Sequence, residues 1–149
     1  MGRKKNLGES VLALNNVQEA TSALNVAYFS LNKHRFIAST WASIEQRRFA
    51  IDHLIKVGRN EQTKPIVVIL EKTIDRLKRL AEEAKRLPDE INLSQDQLED
   101  LDKILVKVEA KTHIAFVLIE RLIEGFSPIP SPRSTYQRGL VGTKYKKDR

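Results

Sequence analysis

The chain has no cysteine among its 149 residues. Thiol catalysis, disulfide staples and every cysteine-based zinc or iron–sulfur site are therefore excluded. Long apolar runs are missing too. The longest, Ile66–Leu70 and Ile114–Ile119, fall far short of the ~18 residues a membrane span needs. No apolar stretch follows the basic start Met1-Gly2-Arg3-Lys4-Lys5, so no secretory signal is expected. The sequence contains no His-Glu-x-x-His, no Walker loop, no Gly-x-Gly-x-x-Gly and no Gly-x-Ser-x-Gly. Glu109 and His113 stand four apart on one helix face and could present two ligands to a metal. A di-iron bundle needs Glu-x-x-His pairs on two helices and further inward glutamates, which are absent, so a local surface pair is expected instead. The expectation is a protein without metal, cofactor or catalysis.

What is present fits a globular protein: 41% hydrophobic and 30% charged residues. The length suits one domain of ~100–200 residues. The net charge of +7 is unevenly spread. Residues 1–5 carry three cations and no acid, residues 126–149 six cations and one acid, and the body between 17 cations and 18 acids. A nearly neutral body thus carries cationic ends, which bears on partners rather than on fold.

Four helices read out of the body. The first is expected over Glu9–Leu31, with Ser10 as its N-cap and the stripe Leu14, Val17, Thr21, Leu24, Tyr28, Leu31. Asn32–Ile37 is a basic connector or a helical extension. Ser39 or Thr40 caps the second helix, whose apolar side is Trp41, Ile44, Ile51, Leu54 and Ile55, and Gly58 ends it. The third starts at Pro65 and carries Ile66, Leu70, Thr73, Leu77, Leu80, Ala84 and Leu87 before Pro88. In the fourth, Ser94 and Gln97 form a capping box and acids crowd the first turns. Leu98, Leu101, Leu105, Val108, Thr112, Ala115, Ile119 and Leu122 then recur every three and four residues up to Gly125. The fold expected is all-α: an antiparallel four-helix bundle over 9–125, with a basic N-terminal arm over 1–8 and an extended, Pro-rich, basic tail over 126–149.

The tail interleaves cations with rings, and with the arm it supplies the nucleic-acid-binding candidates: Arg3, Lys4, Lys5, Arg133, Tyr136, Arg138, Lys144, Tyr145, Lys146, Lys147 and Arg149. Cations neutralise phosphates and rings stack on unpaired bases. Such a tail can also dock on an acidic protein surface, and basic ends can serve solubility alone; nucleic acid is the reading preferred. Between Asn6 and Asn32 only Glu9 and Glu19 are charged, so Val11, Asn15, Gln18, Ser22, Asn25, Val26 and Phe29 are candidates for a subunit contact. Arg48, amid Ile44, Ile51 and Ile55, either grips an anion at an interface or lies along the core edge and pairs with Asp52. The charges of the third helix read as a salt-bridged face through Asp75/Arg79 and Glu82/Arg86.

The link Lys56-Val57-Gly58-Arg59-Asn60-Glu61-Gln62, and Ser94-Gln95-Asp96-Gln97 opening a long last helix, give the layout a resemblance. From Asn32 to Gly125 it resembles the four-helix-bundle family of diversity-generating-retroelement accessory proteins and ribosomal-RNA intervening-sequence proteins. Thr112-His113-Ile114-Ala115 stands where that family's glycine–tryptophan pattern is expected. The resemblance implies a basic, ring-like oligomer that binds RNA or DNA, assists a reverse transcriptase and catalyses nothing itself. The function expected is a non-enzymatic nucleic-acid-binding subunit of a nucleoprotein assembly, cytoplasmic or within a nucleoprotein or virion particle. The alternatives are a structural assembly protein whose tails thread into neighbouring subunits, and a small helical subunit of an RNA-guided effector complex.

Overall fold

Alanine recurs every seven residues along the first helix, at Ala13, Ala20 and Ala27, and all three are buried. With Ser10, Val17 and Leu24 they form the stripe that faces the core. The computed structural model describes residues 2–28, 30, 32–89 and 93–126, with side chains from Lys4 onward. These form four helices, α1 (Gly2–Tyr28), α2 (Lys33–Val57), α3 (Asn60–Ala84) and α4 (Gln95–Phe126), and no strand occurs among the described residues.

The stripe of α1 is therefore rotated from the expected one. Val17 and Leu24 are shared, but Leu14 and Thr21 are half-buried and Tyr28 is exposed. The reason is the neighbour. Small side chains on α1 lie against α2, where Ser43 bonds the Ala20 carbonyl and Ala50 shares a cluster with Ala13, so these two helices pack most intimately, and bulky residues are pushed to the flanks. The helix also begins at Gly2, so residues 2–8 are helical rather than a separate arm. Leu7 packs on the apolar cluster, and each residue added to a nucleated helix gains a hydrogen bond. Ser10 caps nothing; its hydroxyl donates to the Asn6 carbonyl at 2.8 Å, one turn back.

Asn32 opens α2 by accepting from the Arg35 amide at 3.1 Å, so Asn32–Ile37 is the helical extension and Thr40 lies buried inside the helix. Gly58, at φ 77°, ends α2 in the left-handed conformation expected of it. Helix α3 then starts at Asn60, five residues before Pro65, which sits inside the helix. Its buried residues match the expected stripe from Ile66 to Ala84, with Ile74 and Ala81 added. The capping box of α4 forms in both directions: Gln97 N donates to Ser94 Oγ at 3.2 Å, and Ser94 N donates to Gln97 Oε1 at 2.8 Å. Gly125 does not close α4, which runs on to Phe126. Phe126 is a core residue, not the first residue of a tail, and the Arg59 guanidinium lies 4.5 Å above its ring.

Each helix packs on two others, α1 on α2 and α4, α3 on α2 and α4, so the four stripes enclose one core. Glu9 meets His53, Asn16 donates to Gln46 at 2.9 Å, and the Ala20 carbonyl accepts from Ser43. Position rises along α1 as it falls along α2. No described helix is long and apolar enough to cross a membrane.

Candidate nucleic-acid interface

Helices α3 and α4 lie side by side, and the positions flanking their apolar stripes border a common groove. From α3 come Lys72, Arg76 and Arg79; from α4 come Lys103, Lys107 and Lys111. Thr73, Ile104 and Val108 form the floor, and Asp75 is the single acid among the lining residues. None of these six cations makes an ion pair within 4.0 Å among the described residues. Like charges held along one cleft focus a positive potential, because low-dielectric walls screen it poorly. The groove between α2 and α3 differs: Arg48 and Lys78 face Asp52, Glu71 and Asp75 there.

The salt-bridged face expected on α3 is thus not what forms. Neither Asp75/Arg79 nor Glu82/Arg86 closes, and Glu82 pairs with Lys85 at 2.9 Å instead. Arg48 rides on the surface, pairing with Glu45 at 2.6 Å rather than with Asp52, its guanidinium 5.8 Å from the Trp41 ring. Ile55, expected on the core side, is 61% exposed.

Beneath the groove is Arg47, at 0% exposure. Its Nε donates to Ser43 Oγ at 3.2 Å, and its Nη1 donates to Thr73 Oγ1 at 2.9 Å and to Thr112 Oγ1 at 2.7 Å. Each hydroxyl passes its own proton to a backbone carbonyl: Ser43 to Ala20, Thr73 to Leu70, and Thr112 to Val108, all at 2.7 Å. One guanidinium thereby joins all four helices. Its Nη2 makes no hydrogen bond among the described residues. Burial pulls the Arg47 pKa down to about 10, opposed by the negative charge of Glu109. Periodicity alone does not reveal this residue: 40, 43, 47, 50 and 54 are spaced three and four apart, but arginine on that stripe reads as a surface residue.

Of the expected phosphate-binding residues, Lys4 and Lys5 are exposed on the first turns of α1. They do not join the groove, because α1 packs on α2 and α4 but not on α3. The Arg3 side chain, and Arg133, Tyr136, Arg138, Lys144, Tyr145, Lys146, Lys147 and Arg149, lie outside the described residues. On the expected subunit face, Val11 and Val26 are 38% and 45% exposed, and Asn15, Gln18, Ser22 and Asn25 are exposed as well. Phe29 lies outside the described residues. Glu109 and His113 border a cleft with Gln18 and Phe116. No group of three metal-ligating side chains occurs among the described residues. No family model matches the chain, and no similar curated protein or solved structure was found.

Proposed function

We propose that the protein is a non-enzymatic nucleic-acid-binding bundle that contacts phosphates rather than bases. The supporting observation is the α3/α4 groove, where, among the described residues, six cations without ion-pair partners line one cleft beside a single acid. An excess this local, in a body whose charges nearly cancel as a whole, favours a polyanion over a discrete small ligand. The cationic residues 1–5 and 127–149 belong to the same reading, as additional grips on the same polymer. So does an antiparallel order of the helices, which the opposed numbering of the α1/α2 contacts supports. In that arrangement the rows 72–79 and 103–111 run along each other.

Fluorescence anisotropy of the full chain with a labelled mixed-sequence nucleic acid, titrated from 50 to 200 mM salt, tests this. Affinity is expected to fall by roughly a thousandfold or more over that range, as for a protein making at least six phosphate contacts. No retention at 50 mM salt would sink the reading.

The exposed, charge-poor face of α1 supports a second element, self-association within a larger assembly of the kind the family resemblance implies. Light scattering on the full chain is expected to show an oligomer. Val11→Glu with Val26→Glu should shift it to the monomer without loss of helicity.

A further inference from the structure

Among the described residues, the lining of the α3/α4 groove includes no aromatic ring. Sites built for unpaired strands combine cations with rings on which bases stack. Here the cations stand in two rows, and the floor between them offers only Thr73, Ile104 and Val108. The Thr73 hydroxyl is already committed, donating to Leu70 and accepting from Arg47. Thr73 is also buried, so among the described residues the floor presents no exposed polar side chain to a base edge or to a ribose 2′-hydroxyl, a group used in recognising double-stranded RNA.

The dimensions of the rows point the same way. At ~1.5 Å per residue, Lys72 to Arg79 spans roughly 10 Å and Lys103 to Lys111 roughly 12 Å. One strand of a B-form duplex presents a phosphate every ~3.4 Å along the axis, so each row of three cations faces about three phosphates. Packed helix axes lie ~8–10 Å apart, a spacing of the same order as the ~6–12 Å widths of the two B-form grooves. A single strand laid along the cleft would leave about half of the six positive charges without a phosphate.

Resting on the nucleic-acid reading above, we propose that this groove takes the backbone of double-stranded DNA, the α3 row on one strand and the α4 row on the other. Each row then neutralises its own phosphates, and the two contributions add.

The test uses the full chain, two triple variants, Lys72→Gln/Arg76→Gln/Arg79→Gln and Lys103→Gln/Lys107→Gln/Lys111→Gln, and the variant that combines all six substitutions. The probes are a mixed-sequence DNA duplex, its separated strands and the RNA duplex of the same sequence. All six positions lie on helix surfaces and glutamine is a good helix former, so circular dichroism should show unchanged helicity. Cations at the ends of the chain are common to every variant, and differences between variants isolate the groove. Loss of either row is expected to lower the slope of log affinity against log salt by about 2 to 3, at ~0.9 per phosphate, and loss of both by about twice that. The duplex DNA is expected to bind at least tenfold tighter than either strand. Tighter binding of a single strand, or of the RNA duplex, overturns the proposal while leaving the nucleic-acid reading intact. So does a slope that survives loss of one row and collapses only when both are gone, the mark of two rows sharing one strand. Failure of every probe to bind overturns both.

Discussion

Arg47 carries a positive charge in the middle of a helical core without a carboxylate at contact distance. Three hydroxyls take up part of its hydrogen-bonding capacity, and its Nη2 takes no part. Because those hydroxyls donate to carbonyls of their own helices or of α1, they stay satisfied without Arg47. Replacing a buried charge by an apolar chain of similar length is often neutral or stabilising. Arg47→Met is therefore expected to unfold in urea at the same or a higher midpoint than wild type. Arg47→Ala should lose ~2–5 kcal/mol, as large-to-small changes in packed cores do. Thr112→Val removes an acceptor from the guanidinium and should cost about 1–3 kcal/mol. The sign of the pH effect follows from the lowered pKa. The folded state holds the Arg47 proton less tightly than the unfolded chain, so the penalty is full below about pH 10 and eases as pH rises through it. The stability advantage of Arg47→Met over wild type should narrow between pH 9 and pH 11 in paired urea titrations.

The helix termini test the local chemistry of single elements. Ser94 and Gln97 satisfy each other's amides at the start of α4, and their spacing alone announces it. Ser94→Ala should cost ~1 kcal/mol, read as a lower melting temperature. Pro65 is the opposite case. It lies at the sixth position of α3, where its missing N–H leaves the Glu61 carbonyl without its intrahelical donor. Proline at a helix start is a sound sequence signal, and it misplaces this start by five residues because the left-handed Gly58 delivers the chain into a helix immediately afterwards. Pro65→Ala is expected to raise the midpoint of thermal unfolding, by up to the ~3 kcal/mol that proline costs in a helix interior. The core-facing side of α1 departs from its expected stripe for a different reason. Hydrophobic periodicity weights leucine and tyrosine above alanine, whereas close approach to α2 requires alanine and serine at the contact.

At the scale of the whole molecule, the buried clusters run from Ala13 at one end of the chain to Phe126 at the other, with Leu7 packed against them. Every residue of the two described core clusters lies at or before Phe126. A chain ending after Phe126 should therefore melt with the same cooperativity and within a few degrees of the full chain, followed by circular dichroism. The cations of the α3/α4 groove were legible one helix at a time, as Lys72, Arg76 and Arg79 and as Lys103, Lys107 and Lys111 at turn-like spacing. Each row alone is offset in count by acids of the same helix, such as Glu71, Glu82, Asp100 and Asp102. Helical spacing sets those acids on other faces, Glu71 in the α2/α3 groove and Asp102 beside Tyr28, and only the pairing of α3 with α4 lays one row beside the other.

What the sequence determined by itself was whatever depends on neighbours three or four residues away: that the chain is helical, the core-facing side of α3 and most of that of α4, the left-handed stop at Gly58 and the capping box at Ser94. Such features follow from backbone geometry and burial within one helix, which a single strand of text contains. The tertiary structure decided the features that require knowing which helix lies against which. These are the small-residue face of α1, the burial of Arg47 among hydroxyls from distant positions, and the union of two cation rows in one groove. Electrostatic energy depends on distance in space, and distances across a bundle are not spacings along a chain.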